Sequence, residues 1–157
     1  MSIVKTFRYP VSVFWQGGRV TRASAFDKPD LRVATPPEFR GGVPGVWSPE
    51  ELLVAATASC FSLTLTAVAE KMQVPLLRLE VTGTGHLSKR DDGRFGFTAI
   101  ELDVHLETAT GHAAERAEEA AMIAEERCLV AMALDVPVHV NLEARGASVL
   151  LSERRAS

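Results

Sequence analysis

Between Leu52 and Ala69 the chain carries no charged residue, and this run limits the possible folds more than any other feature. A bilayer-crossing helix needs about 20 mostly apolar residues, so the run is at the threshold for one. Both of its ends read as helix ends. "SPEE" offers Ser48 as N-cap, Pro49 at the first helical position and Glu51 three residues after the cap. The helix is expected to reach about Met72, with Pro75 stopping it. Its composition argues against a membrane. Thr57, Ser59, Ser62, Thr64 and Thr66 put hydroxyls inside the run, and alanine supplies much of the rest. Acidic Glu50, Glu51 and Glu70 flank it, with Lys71 at the far end. Such a segment is expected to be the central helix of a packed domain, covered by protein on most sides.

The covering elements can be read on either side of it. From Lys5 to Val33 the runs "VSVFW", "RASAFD" and "LRVAT" predict short strands, separated by the Gly17-Gly18 turn and Pro29. "TPPEFRGGVPGVWS" is dense in Gly and Pro and predicts a loop. After the helix, "LRLEVTGTGHL" and "IELDVHLE" alternate apolar and polar residues, and Asp92-Gly93 in "KRDDGR" supplies a turn between them. A second helix is expected from Thr110 or His112, with Ala113, Ala117, Ala120, Ala121, Ala124 and Cys128 on one face. In "VPVHVNLEA" the alternation returns, with Val136, Val138, Val140 and Leu142 on one side. The order of elements predicts one α+β domain over residues 1–157, its helices packed on antiparallel sheet.

Composition excludes several functions. A net charge of −3 without a basic block gives no electrostatic case for nucleic acid or an anionic membrane surface. "MSIVKTFRYPVSVFW" lacks the continuous apolar stretch of a secretory signal, so a cytoplasmic protein is expected. Two cysteines are too few for a disulfide scaffold and show no zinc spacing. His86, His105 and His139 fall on the polar sides of strands, out of ligand spacing with the cysteines. No metal or other cofactor is therefore expected.

Both cysteines fall on apolar or small-residue helix faces, where free cysteine is often only a small core residue. If the helices pack together, the sulfurs of Cys60 and Cys128 can meet. A reactive cysteine must be a thiolate, and apolar burial opposes that. The helix dipole fades within about one turn, and Cys60 lies well beyond the first turn. A positive side chain from elsewhere is expected, and Arg19, after Gly17-Gly18 in "GGRVTR", sits on a flexible tip suited to the task. A carboxylate such as Glu50 would then orient it. Arg22 and Arg40 are close enough in sequence to compete for the role.

"SPEELLVAATASCF" resembles the signature helix of the osmotically inducible protein C and organic hydroperoxide resistance (OsmC/Ohr) family. "QGGR", "TPPEFRGG" and "EERCLVAMAL" resemble the family's Gly-Gly-Arg turn, its Pro- and Gly-containing loop and the region of its second cysteine. The resemblance implies a homodimer of interlocked subunits with active sites at the interface. It also implies thiol peroxidase activity on organic hydroperoxides, sustained by a lipoyl-type or small dithiol reductant. By position, Cys60 resembles the peroxidatic cysteine, Cys128 the resolving cysteine, Arg19 the activating arginine and Glu50 its carboxylate partner. The family often has Cys-Pro-x-Ser where this chain has Cys128-Leu129-Val130-Ala131, and "PEEL" leans toward the general OsmC-like branch. The alternative is a small-ligand-binding or redox-sensing protein without efficient turnover.

Overall fold

Three short strands open the chain in the computed structural model, which describes residues 5–147. The first four residues of the N-terminal stretch and the last ten of the 1–157 domain assignment lie outside the described residues. The backbone divides into two compact units, Met1–Leu52 and Leu53–Ser157.

In the first unit, β1 (Ser12–Trp15), β2 (Val20–Ser24) and β3 (Leu31–Ala34) form an antiparallel sheet in that order. β2 begins earlier than the run "RASAFD" suggests. A tight turn, in which Gln16 N–H donates to the Val20 carbonyl at 2.9 Å, restarts the strand at once. At the other end Asp27 adopts φ 57°, a left-handed conformation that breaks a strand. β1 is exposed along its whole length, leaving Val13, Phe14 and Trp15 uncovered in this unit. Val33 and Ala34 of β3 are buried, and Val33 bridges to Trp47 at the end of the loop. The loop delivers the chain to α1 (Pro49–Lys71) through the expected capping box. Ser48 N–H donates to Glu51 Oε2 at 2.8 Å, and Glu51 N–H donates to Ser48 Oγ at 3.1 Å.

The second unit takes α1 from Leu53 onward, then β4 (Leu76–Lys89), β5 (Phe95–Thr108), α2 (Gly111–Arg127), the single turn α3 (Leu129–Met132) and β6 (Val138–Gly146). α1 ends one residue before the expected Met72, with Gln73 left-handed at φ 57°. Val74 N–H reaches the Ala69 carbonyl and Gln73 N–H the Glu70 carbonyl, both at 2.9 Å, a Schellman closure. Arg116 of α2 donates to the Met72 carbonyl at 2.6 Å, placing a cation where the helix end is negative.

β4 and β5 pair as the expected antiparallel hairpin, turning at Gly93. The expectation of an antiparallel sheet fails at β6, which runs parallel to β5 from Ile100↔Val138 to Thr108↔Gly146. α2 lies between the two strands and carries the chain back to its starting end, which is how parallel neighbours must be joined. Thr110 caps α2 as expected, accepting from Ala113 N–H at 3.1 Å. The buried face of α2 is Ala114, Ala117, Ala120, Ala121 and Ala124, so Ala114 rather than Ala113 belongs to the stripe.

Ile100, Leu102, Val104 and Leu106 project from β5 into one core with Phe61, Leu65 and Val68 of α1 and the alanines of α2. Close approach of α1 to the sheet depends on Gly83 and Gly85. A Cβ on Gly85 would stand 2.6 Å from Phe97 and 2.7 Å from Val54, both under contact distance. α1 is long and apolar enough to cross a membrane by length and composition. Within this unit, however, one face joins the core, while Ala56, Ser59, Leu63, Thr66, Ala67 and Glu70 form an exposed stripe at helical spacing. Within the second unit only this one face is covered, not most sides as expected.

Candidate active site

The two cysteines meet because three elements of the second unit converge on them. α1 places Cys60 between its core face (Thr57, Phe61, Leu65) and its exposed stripe, so the sulfur is half-buried. α2 ends at Cys128, whose backbone is extended (φ −68°, ψ 103°), and α3 starts at the next residue. This break leaves the N–H groups at the start of α3 outside any helical ladder. It also buries Cys128 to 1 % exposure against the core. Both thiols are free, and Cys60 packs against the cluster that contains Cys128.

The environment differentiates the two sulfurs. Burial pushes the Cys60 thiol up, but donors around it more than offset that. Val130 N–H, the Cys128 thiol, the Thr64 hydroxyl and Leu129 N–H all favour its charged form, and its pKa lies below the ordinary thiol value. Cys128 goes the other way. Burial raises its pKa, the Ala131 and Val130 N–H groups offset part of that, and its hydrogen bond to Cys60 and that sulfur's charge add to the rise. One sulfur is thus shifted toward its thiolate and the other away from it. A thiolate is the nucleophile of cysteine chemistry, and a neighbouring thiol can condense with its oxidised form.

The sequence pointed to a positive side chain as the missing stabiliser. Within this unit the stabilising groups are two backbone N–H groups, a hydroxyl and a thiol. Thr64 sits one helical turn beyond Cys60 and was legible as its neighbour, though not as its donor. The N–H groups of Leu129 and Val130 were not legible, because every residue but proline has one. Leu129 is the position where the resembled family often has proline, which lacks that donor.

Arg19 and Glu50 lie in the first unit. Arg19 follows Gly17 (φ 99°) and Gly18 (φ 54°) at the β1–β2 turn, and its carbonyl accepts from Thr35 N–H at 3.1 Å. Its side-chain stem crosses the loop at Gly41, where a Cβ would come within 3.0 Å of Arg19 Cγ. The "QGGR" turn and the "FRGG" loop therefore fit together through this one arginine. Arg19 lines an open cavity of about 260 Å³ with Trp15, Thr35 and Pro49. Glu50 stands in the first turn of α1, and its Oε2 is buried without a hydrogen-bond partner among the described residues. Neither Arg19 nor Glu50 forms an ion pair among the described residues. Of the competing arginines, Arg22 is bound to Asp30 and stacks over Phe14 at 4.9 Å from the ring centre, so it is engaged elsewhere. Arg40 lies exposed on the loop.

Two of the three strand histidines face acids on the second sheet. His86 Nε2 is 3.3 Å from Glu101, and His105 Nδ1 is 3.4 Å from Glu143. Among the described residues no group of three or more His, Cys, Asp or Glu is arranged to hold a metal ion.

The fold recurs in known proteins. The family model described as OsmC-like protein matches residues 42–143, a span that includes Glu50, Cys60 and Cys128. An OsmC-like protein of unknown function from Vibrio cholerae superposes with a TM-score of 0.77 at 20 % identity, over 89 % of this chain and 100 % of that one. An organic hydroperoxide resistance protein OsmC from Legionella pneumophila aligns at 26 % identity and a TM-score of 0.71, over 90 % of this chain and 98 % of its own. The organic hydroperoxide resistance protein OhrB of Bacillus subtilis aligns at 27 % identity and a TM-score of 0.67, over 88 % and 98 %. No curated protein sequence matches the chain.

Proposed function

The chain belongs to the OsmC-like protein family, and from that premise we propose that it is a thiol-dependent peroxidase that reduces organic hydroperoxides to alcohols. The observation that carries this reading is the meeting of two free cysteines in one apolar cluster, half-buried Cys60 beside buried Cys128 at the helix break before α3.

The Cys60 thiolate attacks the distal oxygen of the hydroperoxide. The O–O bond breaks, its electron pair leaves with the alkoxide, and a proton completes the alcohol. Cys60 is now a sulfenic acid. Cys128 sulfur attacks Cys60 sulfur, the S–O bond breaks, and the hydroxide leaves as water with the Cys128 proton. A dithiol, lipoyl-type or smaller, restores both thiols by exchange. The apolar residues around the pair favour an organic peroxide over hydrogen peroxide. Two neighbours that carry the words organic hydroperoxide resistance in their names support the same substrate class.

Arg19 and Glu50 enter this reading as a pair. A buried carboxylate oxygen without a partner costs roughly 1–3 kcal/mol or more, so it calls for an explanation. Glu50 Oε2 is such an oxygen. An interlocked homodimer, taking residues 1–157 as a single OsmC-like domain, supplies the explanation: Arg19 meets Glu50 and lends its charge to Cys60. The uncovered apolar residues of β1 and the exposed stripe of α1 support such a dimer.

Intact mass under non-reducing conditions tests the chemistry. Reduced protein given one equivalent of cumene hydroperoxide is expected to lose two hydrogens per chain, and to do so faster than with hydrogen peroxide. Slow oxygen addition without a bridge defeats the reading. So does a rate no better than that of a free thiol, which leaves a ligand-binding or redox-sensing protein.

A further inference from the structure

Arg19 follows a segment with little stiffness of its own. Gly17 (φ 99°) and Gly18 (φ 54°) precede it, both in the left-handed region, and glycine has more backbone freedom to lose than any other residue. A peptide unit is rigid and only φ and ψ turn between two of them. The arginine is therefore aimed by whatever holds the peptide planes on either side of its Cα. The plane after it is held by the main chain, since the Arg19 carbonyl accepts from Thr35 N–H at 3.1 Å. The plane before it contains the Gly18 carbonyl, and that carbonyl accepts from Trp15 Nε1–H at 3.0 Å. The other ties of the turn are main-chain pairs, Gln16 N–H to the Val20 carbonyl at 2.9 Å and Val20 N–H to the Gly17 carbonyl at 3.1 Å. Among the described residues the indole is the one side chain that ties it. Trp15 stays 75 % exposed, so burial within the first unit does not account for the residue. Its ring also walls the cavity that Arg19 lines.

We propose that Trp15 is a positioning residue for Arg19. Its indole N–H holds the Gly18 carbonyl, fixes the peptide plane from which the arginine departs, and so keeps the side-chain stem on its path past Gly41. What Arg19 then does for Cys60 rests on the peroxidase reading. Trp15 acts only through the arginine, which has a measurable consequence. With the guanidinium gone, the indole N–H has nothing left to contribute to the rate of peroxide reduction.

The test is a double-mutant cycle in the full-length chain. Trp15→Phe removes the N–H donor and keeps an apolar ring, both for the cavity and for any surface that covers β1. Arg19→Ala removes the group to be positioned. Two quantities are read for each protein of the cycle. One is the stopped-flow rate of Cys60 oxidation by cumene hydroperoxide. The other is amide hydrogen exchange in the peptide spanning the Gly17-Gly18 turn, measured on reduced protein without peroxide. Trp15→Phe is expected to speed exchange at the turn. It should slow oxidation roughly two- to tenfold, the usual net worth of one hydrogen bond. In the Arg19→Ala background it should slow oxidation no further. An equal loss in both backgrounds overturns the proposal, because the ring then serves something other than the arginine. Unchanged exchange at the turn overturns it too, as does a wild-type rate in Trp15→Phe where Arg19→Ala is slow. The exchange measurement separates the positioning from the reading it rests on. If Arg19→Ala oxidises as fast as wild type, or wild type reacts no faster than a free thiol, while Trp15→Phe loosens the turn, the arginine's part in the peroxidase reading fails and the positioning stands.

Discussion

At the scale of single residues, the site is a contest between desolvation and donors around Cys60. Burial alone would raise its pKa, and the four donors outweigh that. Thr64→Val removes one donor while nearly preserving shape. The Cys60 pKa then rises, so the rate of oxidation by peroxide, which grows with the thiolate fraction, should shift its pH profile to higher pH and fall at neutral pH. Stopped-flow rates across pH check this, and an unmoved profile would mean that the hydroxyl does not act on the sulfur. Cys60→Ser should abolish turnover. Cys128→Ser should leave one oxidation followed by over-oxidation, visible as successive oxygen additions in the intact mass; steady turnover without added monothiol would sink the resolving role. The two sulfurs were legible in the sequence because cysteine carries its chemistry in its side chain. Their polarity was not, since two of the four donors are the main-chain N–H groups of Leu129 and Val130, exposed by a helix break at Cys128. The orphaned oxygen of Glu50 was likewise invisible until its surroundings were known.

Elements were legible where their ends have chemistry and illegible where only direction matters. Ser48, Pro49 and Glu51 announced the start of α1, and both capping hydrogen bonds form. Ser48→Ala should therefore cost about 1 kcal/mol of stability, read as a lower midpoint in urea unfolding. The direction of β6 left no trace in its own residues. Its alternating burial is the pattern of a strand with one solvated face, which an antiparallel and a parallel edge strand share. Only the α2 crossover decides the direction. Gly83 and Gly85 carry no mark within the alternation of "VTGTGHL", yet they set how closely α1 lies on β4. Gly85→Ala forces a Cβ between Phe97 and Val54, and Val54 is too stiff at χ1 to yield readily. Such overpacking typically costs about 1–3 kcal/mol. The same urea titration should show a lower midpoint. An unchanged midpoint would mean that the helix and sheet adjust freely, and that the cysteine geometry tolerates their separation.

At the scale of the whole molecule, each unit of the chain leaves apolar surface uncovered. α1 exposes Leu63 at 70 % on a stripe otherwise made of small or polar residues, and β1 exposes Val13 at 62 % and Trp15 at 75 %. A helix whose charge-free run Leu52–Ala69 lies half open to water, and a strand buried on neither face, make poor sense for an isolated subunit. Both make sense if a second copy lies over them, and the same association gives the Glu50 carboxylate an arginine. Sedimentation should accordingly find a dimer. Leu63→Glu places a charge in the middle of the α1 stripe without touching the core cluster, so it should shift the equilibrium to monomer while the far-UV spectrum is kept. The two functions should then separate. Diamide should still join Cys60 to Cys128, because all the contacts between those sulfurs lie within one unit. The peroxide rate should fall by an order of magnitude or more, in proportion to the dimer lost, because Arg19 no longer reaches the sulfur. A monomeric wild-type protein with full peroxide reactivity would remove Arg19 and Glu50 from the mechanism and leave the donors around Cys60 to sustain it alone.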